Sequence, residues 1–174
     1  MNLEFIGIGS FFAKNNYHNN ALLNERILID CGFMAGHGLH ASGRNFGQIE
    51  HIFITHTHAD HIGGLEECAF FNKFVKGGAK PNLYVPTPLV EKLWAYSLRG
   101  GLEDIDTGGA TLADYYNLVE VKDEFEIEDI HFQVVPTNHV PNRFCCGLNI
   151  DNRVFFSGDT QFDPLMIEKH GSDA

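Results

Sequence analysis

A single ten-residue stretch constrains this chain more than any other feature of its sequence. The run THTHADHIGG covers residues 55–64, and within six positions it holds four candidate metal ligands: His56, His58, Asp60 and His61. Imidazole and carboxylate groups are the ligands that proteins use for zinc and similar divalent cations. Burying these groups in a loop without a partner would be costly. The run therefore predicts a metal centre.

The spacing of these residues favours two metal ions over one. Side chains alternate along an extended strand, so His56, His58 and Asp60 are expected to point the same way from a strand end. His61 falls in the turn that enters a helix, so its ring is expected to face a different point in space. Four ligands are too few for two complete metal shells, and further ligands are therefore expected at the ends of other strands.

Two later residues are candidates for these further ligands. His139 in PTNHVP follows a predicted strand at 131–135, and Asp159 in SGDT follows another at 154–157. Gly158 allows the backbone to turn tightly and to aim the carboxylate outward. Taken alone, either residue fits an ordinary loop better than a ligand site. Their weight comes from the order in which they follow the HxHxDH run.

The pattern of apolar runs predicts one α/β domain over residues 1–174, with a mixed sheet and helices on its outer side. Strands are predicted at 3–8, 21–23, 27–29, 51–55, 83–85, 118–121, 125–127, 131–135, 144–150 and 154–157. Helices are predicted at 65–75, from Pro88 to Arg99 behind Thr87 as N-cap, and after Pro164. Residues 100–109 are predicted to form an exposed acidic loop, and residues 32–47 a loop with a short helical turn.

Composition excludes several classes of protein. No apolar stretch approaches the length that spans a bilayer, and the first residues lack the features of a signal peptide. The four cysteines lack CxxC spacing, which indicates reduced thiols in a cytosol. A net charge of −11 disfavours a protein that binds nucleic-acid backbones. A small substrate at a metal centre fits this composition better.

The order of the motifs resembles the metallo-β-lactamase superfamily of two-metal hydrolases. The resemblance covers essentially the whole chain: an initial hairpin, ILIDCG, ITHTHADHIGG, a single histidine and then SGDT. It implies an αββα sandwich in which His56, His58 and His139 hold one metal. Asp60 and His61 would hold the other metal, with Asp159 bridging the two. The ions expected are Zn²⁺, with Mn²⁺ as the alternative, sharing a hydroxide that Asp60, as the catalytic residue, orients.

Within that superfamily, two branches are the most similar. The opening FIGIGS, the Asn-rich loop and ILIDCG resemble the tRNA 3′-processing (tRNase Z) branch, and resemble still more the small cyclic-nucleotide phosphodiesterases that include phage anti-Pycsar proteins. SGDT in place of a cysteine is unlike the zinc β-lactamases proper. The resemblance implies a cytoplasmic homodimer, in a bacterium or a phage-infected host. It would hydrolyse cyclic CMP or cyclic UMP and so counteract nucleotide-based antiphage defence.

Two alternatives stay open at this point. A tRNA-processing endonuclease needs a basic exosite, and the only concentration of positive charge is Lys73, Lys76 and Lys80. The family pattern also carries one more metal-binding histidine well after SGDT, and His170 does not match its spacing. The resemblance therefore predicts a domain that lacks its C-terminal strands and helix. A non-catalytic relative that binds a nucleotide or a partner is the second alternative.

Weaker signals come from residues outside these motifs. His18 in the Asn-rich loop is a candidate for reaching the mouth of the site, and Arg143 is a candidate for steadying a phosphate. Four aromatic residues are candidates for stacking on a base, although core packing is the default interpretation in a chain with 15 phenylalanines: Phe11, Phe12, Tyr17 and Phe46.

Overall fold

The computed structural model describes residues 1–105 and 108–170, which form two sheets and several short helices. The strands are β1 (Leu3–Gly7), β2 (Asn20–Leu23), β3 (Ile27–Ile29), β4 (His51–Phe53), β5 (Asn82–Pro86), β6 (Asn117–Val121), β7 (Glu124–Ile127), β8 (Ile130–Pro136), β9 (Cys146–Ile150) and β10 (Val154–Phe156). The α-helices are α1 (Ala35–Ala41), α2 (Ala59–Ile62), α3 (Leu65–Phe70), α4 (Val90–Leu93), α5 (Arg99–Leu102) and α6 (Pro164–His170). π-helical turns continue α3 over Phe71–Val75 and α4 over Trp94–Leu98, as expected from the predicted helices at 65–75 and 88–99. All ten predicted strands are present, with ends shifted by one or two residues.

The strand directions bring several strand ends to one edge of the molecule. The first sheet has the order β1-β2-β3-β4-β5-β6, and the pairs from β3 to β6 are parallel. The second sheet has the order β10-β9-β8-β7 and is antiparallel throughout. Because β8 and β10 both run opposite to β9, their carboxyl ends share an edge, as do those of β3 and β4. Loops that leave these ends can therefore converge.

Alternating side chains divide the core into two layers. Leu28 and Ile52 point from the first sheet into the cluster that contains the helices. Their neighbours Ile29 and Phe53 point the other way, into the cluster shared with the second sheet. All four are at most 1% exposed. This is the period-two pattern of a sheet buried on both faces, and it places helices, first sheet and second sheet in successive layers.

The outer face of the second sheet also carries a helix. The rings of Phe155 on β10 and His170 on α6 lie 5.5 Å apart, so α6 lies against this sheet. The resulting order of layers is helix, sheet, sheet, helix, as predicted. No helix within the described ranges combines the length and apolar character needed to cross a bilayer.

Some predicted helix boundaries are wrong. Pro86, not Thr87, is the N-cap of the 3₁₀ turn Thr87–Leu89, which leads into α4. The Thr87 hydroxyl instead donates to the Val121 carbonyl at 3.3 Å. Residues 100–105 are helical instead of forming an exposed loop, in α5 and the 3₁₀ turn Glu103–Ile105. Leu98 and Leu102, four positions apart and both buried, explain this, because their burial on one helix face outweighs the two glycines between them. Residues 106 and 107 lie outside the described part of the chain.

The glycine-rich segment 32–47 is more ordered than predicted. It contains the seven-residue helix α1 and the 3₁₀ turn Phe46–Gln48. Leu39 and Phe46 anchor these elements because both are almost completely buried. The sequence predicts only a single helical turn here, because the five glycines interrupt the apolar pattern that would indicate a longer helix.

Candidate metal centre

The THTHADHIGG run leaves the carboxyl end of β4 and turns directly into α2. His58 is the N-cap of α2, and its carbonyl accepts from the amides of His61 at 2.9 Å and Ile62 at 3.0 Å. The expectation that Asp60 extends from the strand beside His56 and His58 is wrong. The extended backbone ends at His58 and α2 begins at Ala59, so Asp60 and His61 project from a helical turn.

Three histidines converge in a first group. His56 and His58 come from the end of β4, and His139 comes from the loop after β8. One ring nitrogen of each lies within 4.8 Å of the others. The Nε2 of His56 lies 3.0 Å from Nδ1 of His58, and Nε2 of His139 lies 3.4 Å from that same Nδ1. Nitrogens that face each other so closely suit a cation held between their lone pairs.

A second group consists of His56, His61 and Asp159, again with ligand atoms within 4.8 Å of one another. Asp159 Oδ1 lies 3.4 Å from His61 Nε2, whereas Asp159 Oδ2 lies 3.6 Å from His139 Nε2. The two oxygens of one carboxylate thus face both groups. Asp60 Oδ2 lies 3.5 Å from His61 Nε2, although Asp60 belongs to neither group. All six predicted ligands therefore lie at one site.

A tight turn aims the Asp159 carboxylate. Gly158 has φ +58°, a conformation that L residues with a side chain rarely adopt. A Cβ at this position would also lie 2.9 Å from the Cys146 carbonyl oxygen. The backbone amide of Cys146 in turn donates to the Thr55 carbonyl at 3.2 Å, which joins the two sheets next to the site. The glycine of SGDT is therefore required by the backbone at this position.

Asp30 is a buried member of the site that the sequence analysis missed. It directly follows β3, is fully buried, and its Oδ2 lies 2.7 Å from Nδ1 of His61. The backbone amide and hydroxyl of Thr55 donate to its two oxygens, both at 2.8 Å. The available signal was a carboxylate that follows the wholly apolar strand Ile27–Ile29, because such a group needs partners at the sheet edge.

Asp30 and Thr55 set the tautomers of two candidate ligands. Because the Thr55 hydroxyl donates its hydrogen to Asp30, it must accept from Nδ1–H of His56, 3.1 Å away. Nδ1–H of His61 donates to Asp30 directly. In both rings this leaves Nε2 as the nitrogen that faces the site. Metal-binding histidines are oriented in this way in known metal sites.

The electrostatics of the site shift the pKa values of His56 and His61 in opposite directions. Burial, together with the neighbouring imidazoles, lowers the pKa of His56 to about 3. Burial also opposes protonation of His61, but Asp30, Asp159 and Asp60 outweigh it and raise the pKa of His61 to about 12. The hydrogen bond from His61 lowers the pKa of Asp159 to about 2. The His61 proton thus occupies a position between carboxylates that a cation would also suit.

The donor set fits divalent metal ions. Four imidazoles and two carboxylates converge at one edge, and the chemistry of nitrogen with anionic oxygen is that of zinc and related ions. Two groups that share His56, with one Asp159 oxygen facing each group, match two cations better than one.

Other histidines lie outside this centre. His37 and His40 are exposed on α1, and His170 belongs to none of the ligand groups formed by the described residues. A further group at the opposite end of β4 is exposed, and Arg26 pairs with its Glu128 at 3.0 Å: Glu50, His51 and Glu128. His18 is in no ligand group either but lies beside the centre, because burial lowers its pKa and the charges of Asp60 and His61 also act on it. It is 1% exposed, and its Nδ1 has no hydrogen-bond partner among the described residues.

Comparison with known proteins agrees with the geometry. The family model for anti-Pycsar protein Apyc1 matches residues 1–174. The chain is 42% identical over 185 residues to anti-Pycsar protein Apyc1 of Bacillus phage 010DV004, covering 97% of this chain and 72% of that protein. It is 41% identical over 170 residues to the Paenibacillus xerothermodurans protein of the same name, covering 94% of this chain and 67% of the relative.

Solved structures show the same fold at low identity. The metallo-β-lactamase fold protein YhfI from Bacillus subtilis superposes with a TM-score of 0.73 and 16% identity, covering 96% of this chain and 66% of its own. The short form of human tRNase Z superposes with a TM-score of 0.69 and 20% identity, covering 100% of this chain and 75% of its own. The predicted metallo-β-lactamase fold is therefore confirmed, and family and fold together indicate a metal-dependent hydrolase. The chain belongs to the Apyc1 family of anti-Pycsar proteins.

Proposed function

We propose that this chain is a two-metal phosphodiesterase that hydrolyses cyclic mononucleotides such as cyclic CMP and cyclic UMP. The observation that carries the proposal is the position of Asp159, whose two oxygens lie 3.4 Å from His61 Nε2 and 3.6 Å from His139 Nε2. One carboxylate placed between two ligand groups suits a pair of neighbouring cations. The anti-Pycsar name of the family supports a nucleotide substrate and a role against antiphage defence.

The proposed ligand sets differ from the two groups at one position, because Asp60 takes the place of His56 beside His61. His56, His58 and His139 would hold one cation, Asp60 and His61 would hold the other, and Asp159 would serve both. Two bound ions, Zn²⁺ or alternatively Mn²⁺, would supply the Lewis acidity that activates water as a nucleophile and would neutralise charge on the phosphate. The protein contributes rings whose Nε2 atoms are oriented in advance by Asp30 and Thr55.

Asp60 is the proposed catalytic residue. Burial opposes ionisation of its carboxyl, but the hydrogen bond and charge of His61 outweigh burial and lower the pKa of Asp60. The carboxylate is therefore ionised at neutral pH and accepts hydrogen bonds. Beside the phosphate it orients the attacking water by accepting one of its protons in a hydrogen bond.

The cavity at the site suits a small substrate. It has a volume of about 420 Å³, which lies within the range of roughly 300–1,000 Å³ typical of small-molecule sites. Its lining comprises Ser10, Phe11, Phe12, His58, Ala59, Asp60, His139 and Asp159. Burial lowers the pKa of His58, and the positive charge of the nearby Arg143 lowers it further. We propose that Arg143 attracts the substrate phosphate.

A tRNA substrate fits the chain less well. The net charge is −11, and Lys80 is already engaged because its Nζ donates to the Ala113 carbonyl at 2.7 Å. The similarity to human tRNase Z, at 20% identity, shows the fold alone. We therefore expect no cleavage of tRNA precursors.

The test measures turnover and metal content together. Purified protein loaded with Zn²⁺ or Mn²⁺ is incubated with cyclic UMP and cyclic CMP, and the linear nucleotides are separated by chromatography. We expect two metal ions per chain, and turnover that a chelator abolishes. Asp159→Asn should lower turnover by at least about 100-fold, the size of effect seen when one group that stabilises transition-state charge is removed, whereas His40→Ala, at an exposed position of α1, should not.

Three other outcomes would count against the proposal. Cleavage of a tRNA precursor without turnover of cyclic nucleotides would support the tRNA-processing alternative. Binding of a nucleotide with one metal or none per chain and no turnover would support the non-catalytic alternative. Activity that survives complete metal removal would contradict the two-metal mechanism itself.

We also propose that the protein acts as a homodimer in the cytosol of a phage-infected bacterium. The support is family membership together with the reduced state of the cysteines, all four of which are free and buried. Sedimentation velocity of the metal-loaded protein tests the dimer, and a single species of monomer mass at micromolar concentration would contradict it.

A further inference from the structure

A tight turn beside the metal centre presents two adjacent phenylalanines. The loop after β1 closes at residues 10–13, where the Ala13 amide donates to the Ser10 carbonyl at 2.9 Å. Phe11 and Phe12 are therefore the central residues of this turn. Small polar residues and glycine usually occupy such positions. Two large apolar side chains there call for a specific reason.

The backbone holds this turn firmly in place. The Gly9 amide donates to the Tyr17 carbonyl at 2.7 Å, and the Asn19 amide donates back to the Gly9 carbonyl at 3.0 Å. A Cβ on Gly9 would lie 2.7 Å from the Cβ of Ala13, so the two arms of the loop approach as closely as glycine permits. The turn is thus a fixed support for its two aromatic rings.

Core packing does not account for these rings. Phe12 is 80% exposed and Phe11 is 43% exposed. Phe11 nevertheless has a defined orientation, because Phe33 packs edge-on against it at 5.8 Å and the buried ring of His18 lies parallel to it at 6.2 Å. Phe12 packs edge-on against Phe11 at 5.3 Å. The contacts therefore hold Phe11 from behind and project Phe12 outward.

These rings share a cavity with the candidate metal ligands. Ser10, Phe11 and Phe12 line one part of the 420 Å³ cavity, and His58, Asp60, His139 and Asp159 line another part. A ligand whose charged group meets the metal ligands would therefore place its remaining atoms beside the two phenylalanines. An aromatic surface next to an anion-binding centre matches a molecule with a flat apolar ring at one end and a phosphate at the other.

We infer that Phe11 and Phe12 form the platform on which the nucleobase of the substrate stacks, with Phe12 making the principal contact. The inference rests on the proposed function and extends it, because it identifies the residues that recognise the base. Stacking of a base on an aromatic side chain contributes enough binding energy to change affinity by about fivefold to 100-fold. The alternative partner that would cover this exposed ring is a second copy of the chain, and the experiment distinguishes it from a nucleobase.

The experiment compares two substrates on matched variants. Cyclic UMP is compared with abasic 1-deoxyribose 3,5-cyclic phosphate, which keeps the phosphodiester but lacks the base. We expect Phe12→Ala to lower kcat/KM for cyclic UMP about tenfold or more and to leave kcat/KM for the abasic compound unchanged. Phe12→Trp, which keeps an aromatic face, should stay within about threefold of the wild type. Phe74→Ala, a change at another exposed phenylalanine outside the cavity, should affect neither substrate.

Equal losses on both substrates, or no loss on either, would overturn the platform while leaving the proposed function in place. A change from dimer to monomer in Phe12→Ala, with an unchanged ratio between the substrates, would assign Phe12 to a subunit contact instead.

A binding measurement keeps the inference testable if the wild type hydrolyses neither compound. Calorimetry of zinc-loaded protein with cyclic UMP then gives the affinity directly. An affinity that falls about tenfold in Phe12→Ala would support the platform although the proposed function had failed. An affinity that is equal in the two proteins, or absence of binding, would overturn the platform as well.

Discussion

Oδ2 of Asp30 lies 2.7 Å from Nδ1 of His61, and both side chains are at most 1% exposed. Asp30 directly follows β3, whereas His61 belongs to the helical turn α2 that follows β4, the parallel neighbour of β3. The contact joins two elements and fixes which nitrogen of His61 faces the candidate metal centre. A buried carboxylate behind a ligand histidine also increases the basicity of the ring.

Replacing Asp30 by asparagine should weaken metal binding. One carboxylate oxygen becomes an amide NH₂ group, which donates hydrogen bonds and accepts none. At least one of the three buried donors of Thr55 and His61 therefore loses its acceptor. We expect zinc affinity to fall about 10-fold to 100-fold, and the free energy of unfolding of the metal-free protein to fall by about 1–3 kcal/mol. Zinc titration against a competing chelator measures the first effect and urea denaturation measures the second.

The matched control for this change is Asp129→Asn in the exposed turn between β7 and β8. It removes the same charge far from the site and should leave zinc affinity unchanged. Equal affinities for wild type and Asp30→Asn would show that the contact does not support the metal centre.

The protonation states of His56 and His61 should differ at pH 8 in metal-free protein. Burial and neighbouring imidazoles hold the pKa of His56 at about 3, so its ring is neutral at this pH. Burial disfavours the charged form of His61 too, but three carboxylates raise its pKa to about 12, so its ring keeps both protons. Ring nitrogen shifts in long-range proton–nitrogen NMR spectra distinguish these forms.

Zinc addition should then remove the Nε2 proton of His61 while Nδ1–H stays bound to Asp30. The exposed ring of His40 serves as an internal reference, because its shifts should not respond to zinc. A neutral His61 ring in the metal-free protein at pH 8 would contradict the prediction.

Sequence reasoning predicted the parts of this molecule that depend on local patterns. Apolar runs bounded by turn residues marked all ten strands. The signature is most continuous in β2, β3 and β9, which are buried on both faces. The HxHxDH spacing, together with the strand-end positions and order of His139 and Asp159, led to six residues that lie together at one edge. Their roles as ligands remain a prediction, which the number of metal ions bound per chain tests.

The errors arose where contacts distant in sequence decide the structure. Thr87 looks like an N-cap from its neighbours alone, but its hydroxyl contacts Val121 on another strand. Asp30 looks like a turn residue, and only the parallel pairing of β3 with β4 brings it to Thr55 and His61. Asp60 is a local exception, because the start of α2 has no capping side chain to mark it and the sequence pattern there predicts an extended backbone.

Removing the Thr55 hydroxyl should destabilise the site, because the hydroxyl is the hydrogen-bond acceptor for His56. Thr55→Val keeps the shape of the side chain but leaves Nδ1–H of His56 without its acceptor and Asp30 without one donor. We expect a loss of about 1–3 kcal/mol in the free energy of unfolding, together with weaker zinc binding because His56 is free to change tautomer. Thr55→Ser retains the hydroxyl and should recover most of both quantities. Equal behaviour of the valine and serine variants would exclude the hydrogen-bond chain as the cause.

A methyl group at Gly158 should displace Asp159. The residue has φ +58°, and an added Cβ would lie 2.9 Å from the Cys146 carbonyl oxygen, so alanine meets both backbone strain and a close contact. Gly43→Ala is the matched control, because Gly43 has φ +76° and its added Cβ would have nothing within 4 Å. We expect the control to lose about 1 kcal/mol of stability from backbone strain alone. Gly158→Ala should lose more stability and should also bind fewer zinc ions per chain, since Asp159 contacts both ligand groups. Urea denaturation and metal analysis on the two variants measure this difference, and full zinc occupancy in Gly158→Ala would show that Asp159 reaches the site without the turn.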